Sequence, residues 1–249
     1  MNKIYHKNEV SFAIIMIVIY VIGTIISETI SETIGFSKLI PAIFHVLFSL
    51  ITAVWIVKNG HTEKYGLTLP KYKLARAGFF VPLIIVACSG LIFGIKLNYG
   101  PLETVLFVIS MCCVGFLEEI LFRGFLFVGM AQKNINSAVI VASLTFGIGH
   151  IVNLLNGQDL VKTIFQIVFA IAVGFALVIL FYKGKSLIPC IVFHSLNNSL
   201  SAFEKDTSDA AKSLLADPEL FEMICVIIYI TILTIYSFFL LKKLNVSQE

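Results

Sequence analysis

The sequence predicts an all-α, polytopic membrane bundle of about eight transmembrane helices, and three observations carry that prediction. Hydrophobic residues make up 58% of the 249-residue chain and charged residues only 13%, where a soluble domain usually carries about 25% charged residues. The mean hydropathy is +0.96. The apolar residues are also gathered into runs that approach the ~20 residues a helix needs to cross the hydrocarbon core. These runs fall at about 10–30, 38–57, 77–96, 102–130, 136–155, 161–182, 186–203 and 221–241. The chain reads as one membrane domain over residues 1–249, with no separate soluble domain.

The first run follows Lys3 and Lys7 and begins near Val10. It is too long for a signal-peptide core and no small-residue cleavage site follows it, so it reads as a retained signal anchor. The fourth run is long and the seventh is short and polar, which makes these two the spans expected to break or tilt. Basic residues test the order of the spans through the positive-inside rule. With the amino terminus inside, that side holds Lys3, Lys7, Lys58, Lys64, Lys71, Lys73, Arg76, Lys133, Lys183, Lys185, Lys242 and Lys243. The other side holds Lys38, Lys96, Lys162, Lys205 and Lys212, and Arg123 lies within a span. That bias fits eight spans with both termini in the cytoplasm.

Of the connections, the one from Lys58 to Ala77 reads as a basic cytoplasmic loop, with turns at Tyr65-Gly66-Leu67 and Leu69-Pro70-Lys71 lying against anionic headgroups. The acidic connection from Glu204 to Glu222 reads as an outer loop. It has a short surface helix over Ser208–Ala216 and a turn at Asp217-Pro218 before the last span. The net charge of +3 is spread along the chain, which gives no footprint for nucleic acid. Five cysteines lie in apolar runs without C-x-x-C spacing. They read as small hydrophobes packed between helices, with neither a disulfide framework nor a zinc knuckle.

Against this apolar background the stretch from Gly115 to Gly124 stands out. It places Glu118, Glu119 and Arg123 inside the fourth run, where each charge costs about 2.5–3.5 kcal/mol by insertion scales and must face protein or water. On a helix Glu119 and Arg123 are four apart and can pair. Glu118 points ~100° away from Glu119, and is left to serve something else.

Two further runs carry polar groups at a similar predicted depth. The fifth has Phe146 one turn before His150, with Gly147 and Gly149 beside them to let a neighbouring helix approach. The seventh has His194 and Asn198 four apart on one face, after Pro189 in the first helical turn. Singly, each of these groups could be interhelical glue. Together they offer limited chemistry: a carboxylate and an imidazole can take a proton from water, while a second histidine and an amide can stabilise an oxyanion on a carbonyl. That is the inventory for hydrolysing an amide without a covalent intermediate. Glu118, His150 and His194 could instead hold Zn²⁺ as a two-histidine, one-carboxylate site. No H-E-x-x-H is present, and spacing alone leaves both forms of water activation open.

Three ordered motifs, Glu118-Glu119-x-x-x-Arg123, Phe146-x-x-x-His150 and His194-x-x-x-Asn198, resemble those of the CPBP intramembrane proteases. That family includes the CAAX prenyl endopeptidases and the bacterial Abi proteins linked to bacteriocin processing or self-immunity. The resemblance covers about residues 102–203, which would form the catalytic core. It implies a helical bundle with its active site in a membrane cavity and a peptide or membrane-protein substrate in the bilayer. It implies that Glu118 and His150 activate the water, that His194 and Asn198 hold the oxyanion, and that Glu119 and Arg123 support them. A glutamate-dependent mechanism without metal is the form it favours. The expected protein is thus an intramembrane endopeptidase, in a bacterial cell membrane. A non-enzymatic immunity or membrane-protein-binding factor is the alternative. A transporter is disfavoured, because no pair of broken spans recurs in two halves.

Overall fold

The computed structural model describes residues 1–70, 79–155, 157–205 and 217–244, and among them it holds helices and turns with no β-strand. The helices in chain order are α1 (Asn2–Lys7), α2 (Glu9–Thr33), α3 (Leu39–Lys58), α4 (Val81–Cys88), α5 (Pro101–Glu118), α6 (Val128–Ala131), α7 (Ile135–Gly149), α8 (Leu160–Gly184), α9 (Ile188–Leu200) and α10 (Pro218–Lys243). Tight 3₁₀ turns at Ser89–Phe93 and His150–Leu154 extend α4 and α7, and a π-helix over Glu119–Phe127 joins α5 to α6. The surface helix expected over Ser208–Ala216 lies outside the described residues, as do Lys71, Lys73, Arg76 and Lys212.

All eight apolar runs carry helix, and the polytopic bundle is what the sequence predicts. Among the described residues six helices are long and apolar enough to cross a membrane: Glu9–Thr33, Leu39–Lys58, Pro101–Ala131, Ile135–Leu154, Leu160–Gly184 and Glu219–Lys243. The third and seventh runs are shorter, at Val81–Phe93 and in the 13 residues of α9. Hydrogen bonds at both ends explain why α9 is short. At its start, Leu187 N–H donates to Gly66 O at 2.7 Å and Ser186 Oγ to Thr68 O at 2.6 Å. Past its end, Lys96 N–H donates to Phe203 O at 2.9 Å and Asn98 N–H to Ala202 O at 3.0 Å.

Burial is inverted relative to a soluble bundle, as a lipid environment requires. On α2 the buried side has Phe12, Met16, Tyr20, Ser27 and Ser31, while Ile14, Ile15, Ile22, Ile26 and Ile30 are exposed. On α3, His45 and Thr52 are buried while Leu47, Leu50, Ile51 and Val54 are exposed. Side-chain caps satisfy the starts of α2, α7, α8 and α10. Asn8 and Asn134 accept from Ser11 and Ser137 N–H, and Asp159 and Asp217 each accept from two N–H groups of the helix that follows.

The chain forms two compact units, Met1–Pro70, Leu83–Gly129 and Ser186–Lys205 in the first, and Lys71–Pro82, Met130–Lys185 and Asp206–Glu249 in the second. In the first unit α9 runs along α5 at a very short separation. A Cβ on Gly115 would lie 2.3 Å from Ser195 Oγ and 2.7 Å from its backbone nitrogen, and Ser195 Oγ donates to Cys112 O at 3.2 Å. The turn expected at Tyr65-Gly66-Leu67 is present, with Gly66 at φ +64°. Within that turn Tyr65 is not a surface residue. It is buried, its ring edge-on to Phe125 of the π-helix at 4.9 Å. Lys64 beside it bonds Glu9 and Tyr5, both at 2.6 Å. Burial works against its ammonium, but those bonds prevail and hold its pKa above that of an ordinary lysine.

In the second unit α7 packs on α8 through Gly147, where a Cβ would meet Ile171 Cγ1 at 2.3 Å and Ile167 O at 2.9 Å. Gly149, expected to serve the same contact, faces open space. The five cysteines are free thiols: Cys190 is buried, but Cys112 is exposed rather than packed between helices.

Gly115→Ala is expected to force α5 and α9 apart and to destabilise the protein by about 1–3 kcal/mol, the usual range for overpacking. Gly149→Ala is expected to leave stability unchanged. Thermal unfolding of both variants in the same detergent makes the comparison.

Candidate active site

The site is built where α5 passes into the π-helix. In this nine-residue segment every residue from Glu119 to Phe127 is buried. Such wide turns, with i→i+5 hydrogen bonds, are rare and recur at functional sites. Glu119 and Arg123 pair as the spacing predicts: Arg123 Nη1 lies 3.1 Å from Glu119 Oε1, and both side chains are fully shielded, at 0% exposure.

Glu119 has a second partner. His194 Nδ1 is 2.8 Å from the same Oε1, so the imidazole donates there and its Nε2 points the other way. That nitrogen faces Glu118 Oε2 at 3.6 Å. One buried imidazole therefore stands between the two carboxylates. The other oxygen of Glu118 accepts the hydroxyl of Tyr20 at 2.6 Å. Unlike its neighbour, Glu118 keeps some access, with 15% of its side chain exposed.

The first unit thus brings together Glu118, Glu119, Arg123 and His194. Asn198, one turn beyond His194 on α9, is half-buried, and its Oδ1 accepts from Asn197 Nδ2 at 3.3 Å. Phe146 and His150 lie in the second unit. Phe146 is buried, and His150 begins the 3₁₀ turn where α7 ends. Their rings meet edge to face at 5.7 Å and 87°, as the one-turn spacing predicts.

Two residues near Glu118 escape a reading of the sequence. Tyr20 is a single hydroxyl in a long apolar run, and nothing in the linear pattern ties it to a residue 98 positions away. His45 of α3 is buried and bonded on both ring nitrogens, to Thr24 Oγ1 at 3.1 Å and Ser110 Oγ at 2.7 Å. A histidine with polar residues on the neighbouring runs was the only available signal, and it has no motif around it.

A partly accessible carboxylate, next to an imidazole held by a buried ion pair, can relay a proton to and from water. A catalytic zinc ion needs three protein ligands as a rule. Within the first unit no group of three His, Cys, Asp or Glu side chains is gathered to hold a metal ion among the described residues, and His150 belongs to the second unit. No step below is routed through a metal.

Two acids, an arginine and a histidine clustered at one shielded point of a helical membrane bundle mark a candidate functional site. Residues 100–200 match the family model described as Type II CAAX prenyl endopeptidase Rce1-like. No curated protein and no solved structure matches the chain. The matched segment contains all three motifs, so the resemblance to the CPBP endopeptidases is shown there. By its long apolar helices the chain is a multi-pass membrane protein.

Arg123→Met removes one member of a fully buried pair and is expected to destabilise the protein by about 3–5 kcal/mol. The double variant with Glu119→Gln is expected to recover part of that loss, since no charge is then left uncompensated. Chemical unfolding of the three proteins measures the coupling.

Proposed function

We propose that this protein hydrolyses a peptide bond of a membrane-associated peptide or small membrane protein. The observation that carries this reading is the chain Tyr20–Glu118–His194–Glu119–Arg123, in which one carboxylate oxygen and one imidazole nitrogen face each other at 3.6 Å. In the proposed reaction Glu118 Oε2 accepts a proton from water while the water oxygen attacks the scissile carbonyl. In this step His194 acts as the imidazolium, with Nδ1–H on Glu119 and Nε2–H on the oxyanion that forms, and the Asn198 amide donates beside it. Its collapse breaks the C–N bond, and Glu118 returns the proton to the leaving amine. Glu119 holds the His194 ring by Nδ1, and Arg123 balances the charge of Glu119. The share of His150 in activating the water rests on the resemblance alone. The proposed setting is a bacterial cell membrane with both termini cytoplasmic, which the excess of basic residues on the amino-terminal side supports. In that setting a prenylated substrate is not expected.

Peptides released by cells carrying the native protein are to be compared with those from cells carrying Glu118→Gln at equal membrane levels. Fragments are expected only with the native protein, because loss of a general base lowers turnover by about 10²–10⁴-fold. Identical profiles, with the variant still complementing a deletion, would favour a binding or immunity role. Cleavage by the purified protein is also expected to survive dialysis against a chelator. Loss of activity that zinc restores would overturn the metal-free mechanism.

A further inference from the structure

Tyr20 lies on α2, outside the matched residues 100–200 and outside all three motifs. Its side chain is buried, and its hydroxyl donates to Glu118 Oε1 at 2.6 Å. A glutamate's terminal torsion is broad and roughly two-fold, so a carboxylate held at neither oxygen samples many orientations. A short O–H···O⁻ bond is among the strong ones and selects one of them. Here the selected orientation turns Oε2 toward His194 Nε2.

We propose that Tyr20 is a positioning residue of the peptidase: it holds Oε1 so that Oε2 alone is offered to the reacting water. The inference rests on the peptidase reading above. It gives the amino-terminal helices a direct part in a site whose motifs all lie on later spans.

The surroundings of Tyr20 are built to hold it in place. Its ring stacks on Phe48 at 6.5 Å and 11° and lies 5.9 Å from the ring of His45. His45 ties Thr24 of α2 to Ser110 of α5, so the helices that carry Tyr20 and Glu118 are bonded to one imidazole. A Cβ on Gly23 would lie 2.2 Å from Phe44 Cζ, so the Phe44 ring of α3 rests directly against α2. A buried tyrosine needs a hydrogen-bond partner in any case, and that plainer role is what the test must separate.

Tyr20→Phe removes one oxygen and keeps the ring. Two readouts are taken on the full-length protein in lipid nanodiscs. The first is the infrared carboxyl band of Glu118, assigned by its disappearance in Glu118→Gln, which Tyr20→Phe is expected to shift at unchanged helix content. The second is turnover of a peptide chosen from the Glu118-dependent fragments. There kcat is expected to fall about ten- to hundredfold with KM unchanged, the pattern of an interaction that acts on the chemical step. Ser110→Ala disturbs the same helix contact through His45 without touching Tyr20 or Glu118, and is expected to leave both readouts at native values. An unshifted band, an unchanged kcat, or an equal loss in Ser110→Ala overturns the inference. If Glu118→Gln itself keeps activity, the peptidase reading falls and takes the inference with it. A native-like Tyr20→Phe beside an inactive Glu118→Gln removes the inference alone.

Discussion

The first unit depends on the burial of Glu119 and Arg123. Neither side chain touches solvent, and an ion placed in such surroundings is tolerated only when paired and further hydrogen-bonded. Each partner therefore fixes the other, and the surplus capacity of Glu119 fixes His194. What looks like a support for the site is also what sets the direction of its imidazole.

That constraint reaches outward through the helices. α5 must come close enough to α9 for Glu119 to reach His194, and Gly115 opposite Ser195 makes the approach possible. α9 is held at its start by residues 66–68 and past its end by residues 96–98, so the histidine cannot slide along its axis. On the other side, Tyr20 and His45 bind α2 and α3 to the same stretch of α5. A helix of 13 residues, too short to span a membrane by itself, is in this way placed as firmly as the long ones.

Much of the site is legible in the sequence because intramembrane charge is so expensive. Glu118, Glu119, Arg123 and His194 stand out from their apolar runs, and the i,i+4 rule pairs Glu119 with Arg123 correctly. The face argument is less complete. It assigns Glu119 to Arg123 and leaves Glu118 apart, whereas the structure sets His194 between the two acids. A regular α-helix was assumed where a π-helix lies, and the histidine comes from a different span. Tyr20 and Tyr65 were missed for a related reason. A tyrosine is common in membrane runs and in interfacial loops, and only a contact partner distinguishes a buried, working hydroxyl from an ordinary one. Gly147 and Gly149 look alike in sequence, yet only Gly147 faces a neighbour.

By itself the sequence determined the number and place of the apolar runs, the helical class, and the small set of residues able to do acid–base chemistry. These follow from composition and period, because a lipid environment forces every backbone group into helix and penalises every stray charge. Only the tertiary structure decided which nitrogen of His194 meets which carboxylate, which oxygen of Glu118 is already engaged, and that α2 contributes to the site. Those are contacts between spans far apart in the chain. They depend on helix register, on close approach at single glycines and on a local π-helix, none of which has a period that a linear pattern can reveal.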